Sequence, residues 1–375
     1  MALKAVHVSD VPNASSSPLY SAAAFSQSVE MVGKVAYKPP KFLVVGHRGS
    51  GMNVLQSSDR RLTAVKENSI VSFNAAAKYP VDFIEFDVQV TKDGCPVIFH
   101  DDFILSQQNG VTVEKRVTDL SLGEFLSYGP QKGTDKTGKP LLRKTKDGGG
   151  VYMWAVETDD ALCTLQEAFE GVNCVLGFNI ELKFDDYVVY QQDHLVRVLR
   201  DVLEVVIAHA KDRPIIFSSF HPDAALLVKK LQSVYPVFFL TNGGTEVYDD
   251  PRRNSLEAAM KVCLEGGLEG IVSEVKAIFR NPAAVNKIKE SDLSLLTYGK
   301  LNNVVEAVYM QHMMGIDGVI VDFVEEIGGA VWEMLKPSKE EEEEELMKGE
   351  AVQKPKFSQR ELTFLLKLIP QLIQQ

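Results

Sequence analysis

The octapeptide FIEFDVQV spans residues 83–90. Its apolar positions run almost unbroken, as in a strand of a parallel sheet that is covered on its outer face. Glu85 and Asp87 interrupt the run. Side chains alternate along a strand, so these two carboxylates point to one side while Phe86 points to the other, toward covering helices.

Seven further runs of this kind flank it: Phe42–Val45, Gly177–Lys183, Ile215–Ser218, Val237–Leu240, Gly270–Val272, Ser294–Tyr298 and Gly318–Val321. Helix-period segments lie between them, at Asn68–Tyr79, Asp193–Ala210, Ala224–Ser233, Leu256–Leu264, Ala283–Ile288, Asn303–Met314 and Glu326–Leu335. Eight strand–helix units specify an α/β fold, a TIM-type (β/α)8 barrel over residues 42–335. An open doubly wound sheet is the alternative, but no GxGxxG follows the first strand. The 375 residues, 45% apolar and 24% charged, suffice for one large barrel and its core.

Residues 102–163 are too long for a plain connection and read as an inserted loop subdomain at the barrel mouth. Its basic stretch carries Lys132, Lys136, Lys139, Arg143, Lys144 and Lys146 against Asp135 and Asp147. A solvated flexible loop is the preferred reading, with steering of an anionic substrate as the alternative.

The ends are set apart by composition. Six of the eleven net negative charges sit on Glu340–Glu345, so residues 336–356 read as an acidic linker, reinforced by Pro337. Ser358 and Glu361 then form a capping box, and residues 357–375 a C-terminal amphipathic helix. Its apolar face suits docking on the barrel or on a second copy of the chain, giving a homo-oligomer, with a membrane surface as the lesser alternative. Residues 1–40 hold seven Ser, seven Ala and only Asp10 and Glu30 as acids. They read as a disordered leader or a plastid transit peptide.

A net charge of −11 and a pI near 5.3 argue against nucleic acid as a partner. Cys95, Cys163, Cys174 and Cys263 are irregularly spaced, with neither a disulfide framework nor a zinc signature. No apolar stretch is long enough for a transmembrane span.

Chemistry is expected at the C-terminal ends of the strands. His47-Arg48-Gly49 closes the first, Glu85 and Asp87 lie in the second, His100-Asp101 ends the run Val97–Phe99, and Glu181-Leu182-Lys183 closes the third. Buried like charges need compensation, and Glu85, Asp87 and Glu181 make an all-oxygen donor set for a hard divalent metal, Mg2+ or Ca2+. His47 and His100 suit acid–base catalysis beside it, while Arg48 and Lys183 suit an anionic phosphate. The reaction class that emerges is phosphodiester cleavage. His221 is a secondary candidate for substrate contact, and His7, His194, His209 and His312 are not.

The motifs Gly46-His47-Arg48-Gly49, Glu67-Asn68-Ser69, Glu85-Phe86-Asp87-Val88-Gln89, Thr91-Lys92-Asp93-Gly94, Val97–Asp101, Glu181-Leu182-Lys183, Ser218-Ser219-Phe220 and Gly315–Val319 with Asp322 resemble those of glycerophosphodiester phosphodiesterases, most closely the plant members. The resemblance covers about residues 42–335. It implies a TIM-type barrel that hydrolyses glycerophosphocholine, glycerophosphoethanolamine and similar diesters to sn-glycerol 3-phosphate and an alcohol. It places the metal on Glu85, Asp87 and Glu181, catalysis on His47 and His100, and phosphate contacts on Arg48 and Lys183. Glu67 would reach the metal or orient one of its neighbours. Two departures, the longer gap after His47 with Gly51 and Asn53, and Tyr298 where many relatives have Trp, fall on the substrate-binding rim. The plant likeness favours the chloroplast over the cytoplasm. Two other readings remain at this stage: a phospholipase of the same superfamily acting on intact lipid, and a non-catalytic metal-dependent binder.

Overall fold

The structure is a computed structural model that describes residues 37–336 apart from 134–135 and 146–149. The acidic linker, the C-terminal helix and nearly all of the leader expected from sequence lie outside the described residues.

Strands are numbered along the chain: β1 (Leu43–Gly46), β2 (Phe83–Val90), β3 (Pro96–Ile98), β4 (Phe103–Gln108), β5 (Val111–Arg116), β6 (Leu142–Lys144), β7 (Val151–Met153), β8 (Gly177–Leu182), β9 (Ile215–Ser219), β10 (Val237–Thr241), β11 (Gly270–Glu274), β12 (Ser294–Tyr298) and β13 (Gly318–Val321). Eight of them pair in parallel in the order β1-β13-β12-β11-β10-β9-β8-β2, and β1 pairs again with β2 to close the barrel. All eight expected strands are present. Closure abolishes sheet edges, and helices cover the outer face.

The alternation read from sequence divides the core. Phe86, Phe178, Ile180 and Phe217 point outward and pack with the helices. Val45, Ile216, Phe238, Leu240, Val272, Leu296 and Ile320 point inward and fill the barrel. Longer helices such as Gln192–His209 coincide with their expected spans to within a residue or two. Helix Leu165–Gly171 is an addition. It completes the crossover from β2 to β8, and Thr164 and Glu167 cap it reciprocally. At seven residues it carries too little periodicity to be recognised.

The insertion is ordered where it is described. β4–β7 form a separate antiparallel sheet in the order β5-β4-β6-β7. Phe99, Ile104, Val117, Phe125, Tyr128, Leu141 and Trp154 build a second hydrophobic cluster beneath it. Arg143 departs from the solvated-loop reading of the basic stretch, since it lies in β6 and is buried, whereas Lys132, Lys136 and Lys144 are exposed.

Candidate active site

The register of β2 on β8 puts Asp87 directly opposite Glu181. Glu85 lies two residues before Asp87 on the same face. One oxygen from each of the three carboxylates falls within 4.8 Å of the others, and all three residues are buried. Burial and repulsion from Asp87 and Glu181 push the Glu85 carboxyl well above its usual range. Burial raises Glu181 too, against the opposing pull of Lys183. Asp87 is also penalised by burial, but the His100 ring, the Arg48 and Lys183 cations and the Asn68 amide hold it down at about 2. Lys183 Nζ lies 3.1 Å from Glu181 and 3.7 Å from Asp87, whereas Glu85 has the Arg48 backbone amide at 3.0 Å and the His47 ring at 4.0 Å. A buried, all-oxygen set short of positive charge fits a hard divalent cation.

Two histidines flank this cluster. His47 follows β1, and its Nδ1 lies 2.7 Å from Asp322 Oδ1, at the end of β13. Asp322 also accepts from the Met52 amide and from Asn303 Nδ2. Burial would raise the Asp322 carboxyl, but the His47 ring and these hydrogen bonds bring it to about 2. His100 reaches the cluster because β3 folds back antiparallel on β2, with Val88 opposite Ile98. Its Nδ1 is 2.7 Å from Asp101 Oδ1. Burial and the Arg48 and Lys183 cations hold the His100 ring well below the ordinary imidazole range, so it is neutral near pH 7.

These groups line a cavity of about 730 Å³ at the C-terminal ends of the barrel strands. Glu85, Glu181, Arg48 and Lys183 form part of its wall together with both histidines, and Phe220, Leu240 and Tyr298 contribute apolar surface. Residues 47–326 match the glycerophosphoryl diester phosphodiesterase family. The chain belongs to that family. It is similar to the chloroplastic glycerophosphodiester phosphodiesterase GDPD1 of Arabidopsis thaliana, 65% identical over 375 residues with both chains fully covered. It is likewise similar to glycerophosphodiester phosphodiesterase GDPD2 of the same plant, 63% identical over 385 residues and again with both chains fully covered. Among solved structures, an Oleispira antarctica phosphodiesterase in complex with the product sn-glycerol-3-phosphate superposes with a TM-score of 0.54 at 21% identity, over 77% of this chain and 96% of that one. The enzyme class is that of phosphoric diester hydrolases.

In this phosphodiesterase all nine residues singled out in the sequence gather at one end of the barrel, and all but Asp87 and Glu67 line the cavity wall. Arg48 and Lys183 are tied to carboxylates. Arg48 donates to Glu67 at 2.7 Å and lies 3.5 Å from Asp87, while its Nε is buried without a hydrogen-bond partner. Arg48 adopts a left-handed φ of 50°, which aims its backbone amide at Glu85 Oε2, 3.0 Å away. Gly51 is required nearby, since a Cβ there would collide with the Asp322 carbonyl. Glu67 sits beside Arg48, outside the three-carboxylate group. It is fully buried between Arg48 and Arg143, accepts from the Asn53 amide, and is absent from the metal-ligand cluster. Tyr298 lies edge-on to Phe220 and donates to Asn242 Oδ1. His221 instead caps a helix, accepting from the Ala224 amide at 3.2 Å.

Four functional neighbours escaped the sequence reading. Asn68 donates to Asp87 at 2.8 Å, Asp322 and Asp101 hold the two histidines, and Arg143 joins Asp101 to Glu67. The first three sit inside recognised motifs, and a His-Asp dipeptide at 100–101 was the available signal. Arg143 had none.

Proposed function

We propose that the protein hydrolyses glycerophosphodiesters such as glycerophosphocholine and glycerophosphoethanolamine to sn-glycerol 3-phosphate and an alcohol, with His47 and His100 as the acid–base pair. One observation carries this reading. Each histidine has its Nδ1 held by a carboxylate, which leaves both Nε2 atoms free for proton transfer beside the same buried acidic cluster. Glu85, Asp87 and Glu181 would hold Mg2+ or Ca2+. When bound, the cation supplies charge neutralisation for the phosphate.

The chain's own groups do the rest. Arg48 and Lys183 add positive charge on the phosphate side of the cavity. His100, kept neutral, accepts a proton at Nε2 from a water, or from the glycerol 2-hydroxyl, whose attack forms a cyclic glycerophosphate that a water then opens to sn-glycerol 3-phosphate. His47, held at Nδ1 by Asp322, gives a proton at Nε2 to the departing alcoholate. A diester lacking the 2-hydroxyl separates the two attack routes: an unchanged rate excludes internal attack. The reading as a whole is tested by release of sn-glycerol 3-phosphate from purified protein, and loss of that release in both histidine variants supports it.

A second reading, cleavage of an intact lipid, is favoured by one feature. Tyr187, Val189 and Val247 are 95%, 89% and 86% exposed on the loops that follow β8 and β10, at the cavity end of the barrel. Activity on long-chain lipid in place of the water-soluble diester would favour it. For location we infer the chloroplast, supported by the name of one of the two relatives matched over their full length and by the acid-poor, Ser/Ala-rich start. A fluorescent protein fused to residues 1–40 and found in the cytoplasm would overturn that inference.

A further inference from the structure

Among the described basic residues of the 132–146 stretch, Arg143 alone is buried, at 9% exposure. It is the middle residue of β6, where it pairs with Tyr152 of β7, and its neighbour Leu142 pairs with Leu105 of β4. Its guanidinium lies over the Trp154 ring at 4.2 Å and divides between two carboxylates. One arm donates to Asp101 Oδ1 at 3.0 Å, and the other stands 2.9 Å from Glu67 Oε2.

Asp101 Oδ1 is the same oxygen that pairs with His100 Nδ1. Asp101 belongs to a short loop and its side chain is 28% exposed, so the hydrogen bond to His100 alone leaves it free to turn toward water. A planar guanidinium with fixed donors removes that freedom. The other arm acts likewise at one remove, since Glu67 is the partner of Arg48. Trp154, from the same insertion, donates to Asn53 Oδ1, and the Asn53 amide completes the hydrogen bonding of Glu67.

We propose that Arg143 is a positioning residue of the active site: through Asp101 it fixes the ring and tautomer of His100, and through Glu67 it fixes Arg48. The inserted sheet is thereby a working part of the catalytic centre. This rests on the catalytic reading of His100. The competing role is a clamp that only holds the insertion on the barrel. Such a clamp exists elsewhere, in the ion pair between Arg116 on β5 and Asp185 after β8, which does not touch His100.

The two roles separate in steady-state kinetics on glycerophosphocholine at saturating Mg2+, with the thermal midpoint of each variant recorded. Arg143→Met lowers kcat roughly 10- to 100-fold with KM within about threefold, the range seen when groups that orient active-site residues are removed. Arg143→Lys recovers part of the loss. Adding Arg143→Met to Asp101→Asn costs little more than the worse single change, because both break one chain. Arg116→Met keeps kcat within about twofold. Full kcat in Arg143→Met, a rise in KM alone, losses that multiply in the double variant, or an equal kcat loss in Arg116→Met each overturns the proposal. If Arg143→Met does not fold, Arg143→Lys combined with Asp101→Asn carries the same comparison. If His100→Ala itself retains full turnover, the failure belongs to the reading of His100 and not to Arg143.

Discussion

His47 Nδ1 and Asp322 Oδ1 stand 2.7 Å apart across 275 residues of sequence. Barrel closure makes this contact, because β1 and β13 are neighbours and Gly46 lies opposite Val321. Asp322 accepts from the His47 ring and orients it, so Asp322→Asn replaces a charged acceptor by an amide that can also donate to Nδ1, and the Nε2 that passes a proton to the leaving group is no longer held in its productive orientation. A kcat loss of about 10²-fold or more is expected, with a fold unchanged by circular dichroism. Retention of kcat within a few-fold would remove Asp322 from the scheme.

His47→Ala and His100→Ala each take away one proton-transfer group. General acid–base groups contribute about 10² to 10⁴ in rate, so each variant raises the barrel enzyme's barrier by roughly 3 to 5 kcal/mol. Near-normal turnover in either variant eliminates that histidine.

Glu85 is the carboxylate most crowded by its neighbours, with its pKa well above the usual range. Glu85→Gln removes that repulsion and keeps the shape. The cation-free variant should therefore unfold at a higher temperature than the cation-free parent. It should also lose the rise in midpoint that Mg2+ or Ca2+ gives the parent. A variant that is less stable without cation, or that still responds to it, contradicts the assignment of Glu85 as a ligand.

Lys66 is 2% exposed, lies over Trp154 at 3.8 Å, and has no hydrogen-bond partner for its buried Nζ. Burial lowers its pKa from 10.5 to about 8. The folded state therefore gives up this proton before the unfolded state does, so between these values the unfolded state binds more protons and stability rises with pH. The contribution is flat below pH 8, climbs toward 10.5, and amounts to at most about 3 kcal/mol. Denaturant titrations of the parent and of Lys66→Met across this range should differ by that slope. Parallel curves would show that the lysine is not strained by its burial.

The eight barrel strands were legible because each is an apolar run bounded by polar residues, and Glu85, Asp87 and Glu181 because a carboxylate inside such a run is conspicuous. The partners of the histidines were less legible. Asp322 is next to His47 only after the barrel closes, and periodicity carries no information on which strand ends meet. Arg143 was hidden differently. Its neighbour Lys144 is exposed, and composition cannot distinguish one inward-facing arginine on a three-residue strand from a charged loop. The insertion was read by its surface, and its Phe99–Trp154 core was overlooked because its aromatic residues are widely spaced in sequence.

The most direct test of the account is release of sn-glycerol 3-phosphate from glycerophosphocholine by the purified chain, measured with Mg2+ or Ca2+ and again after a chelator. The account predicts release with cation, its loss on chelation, and recovery when cation is restored, with none from Asp87→Asn. Undiminished release in the chelated enzyme, or no release from any glycerophosphodiester with cation present, would contradict it.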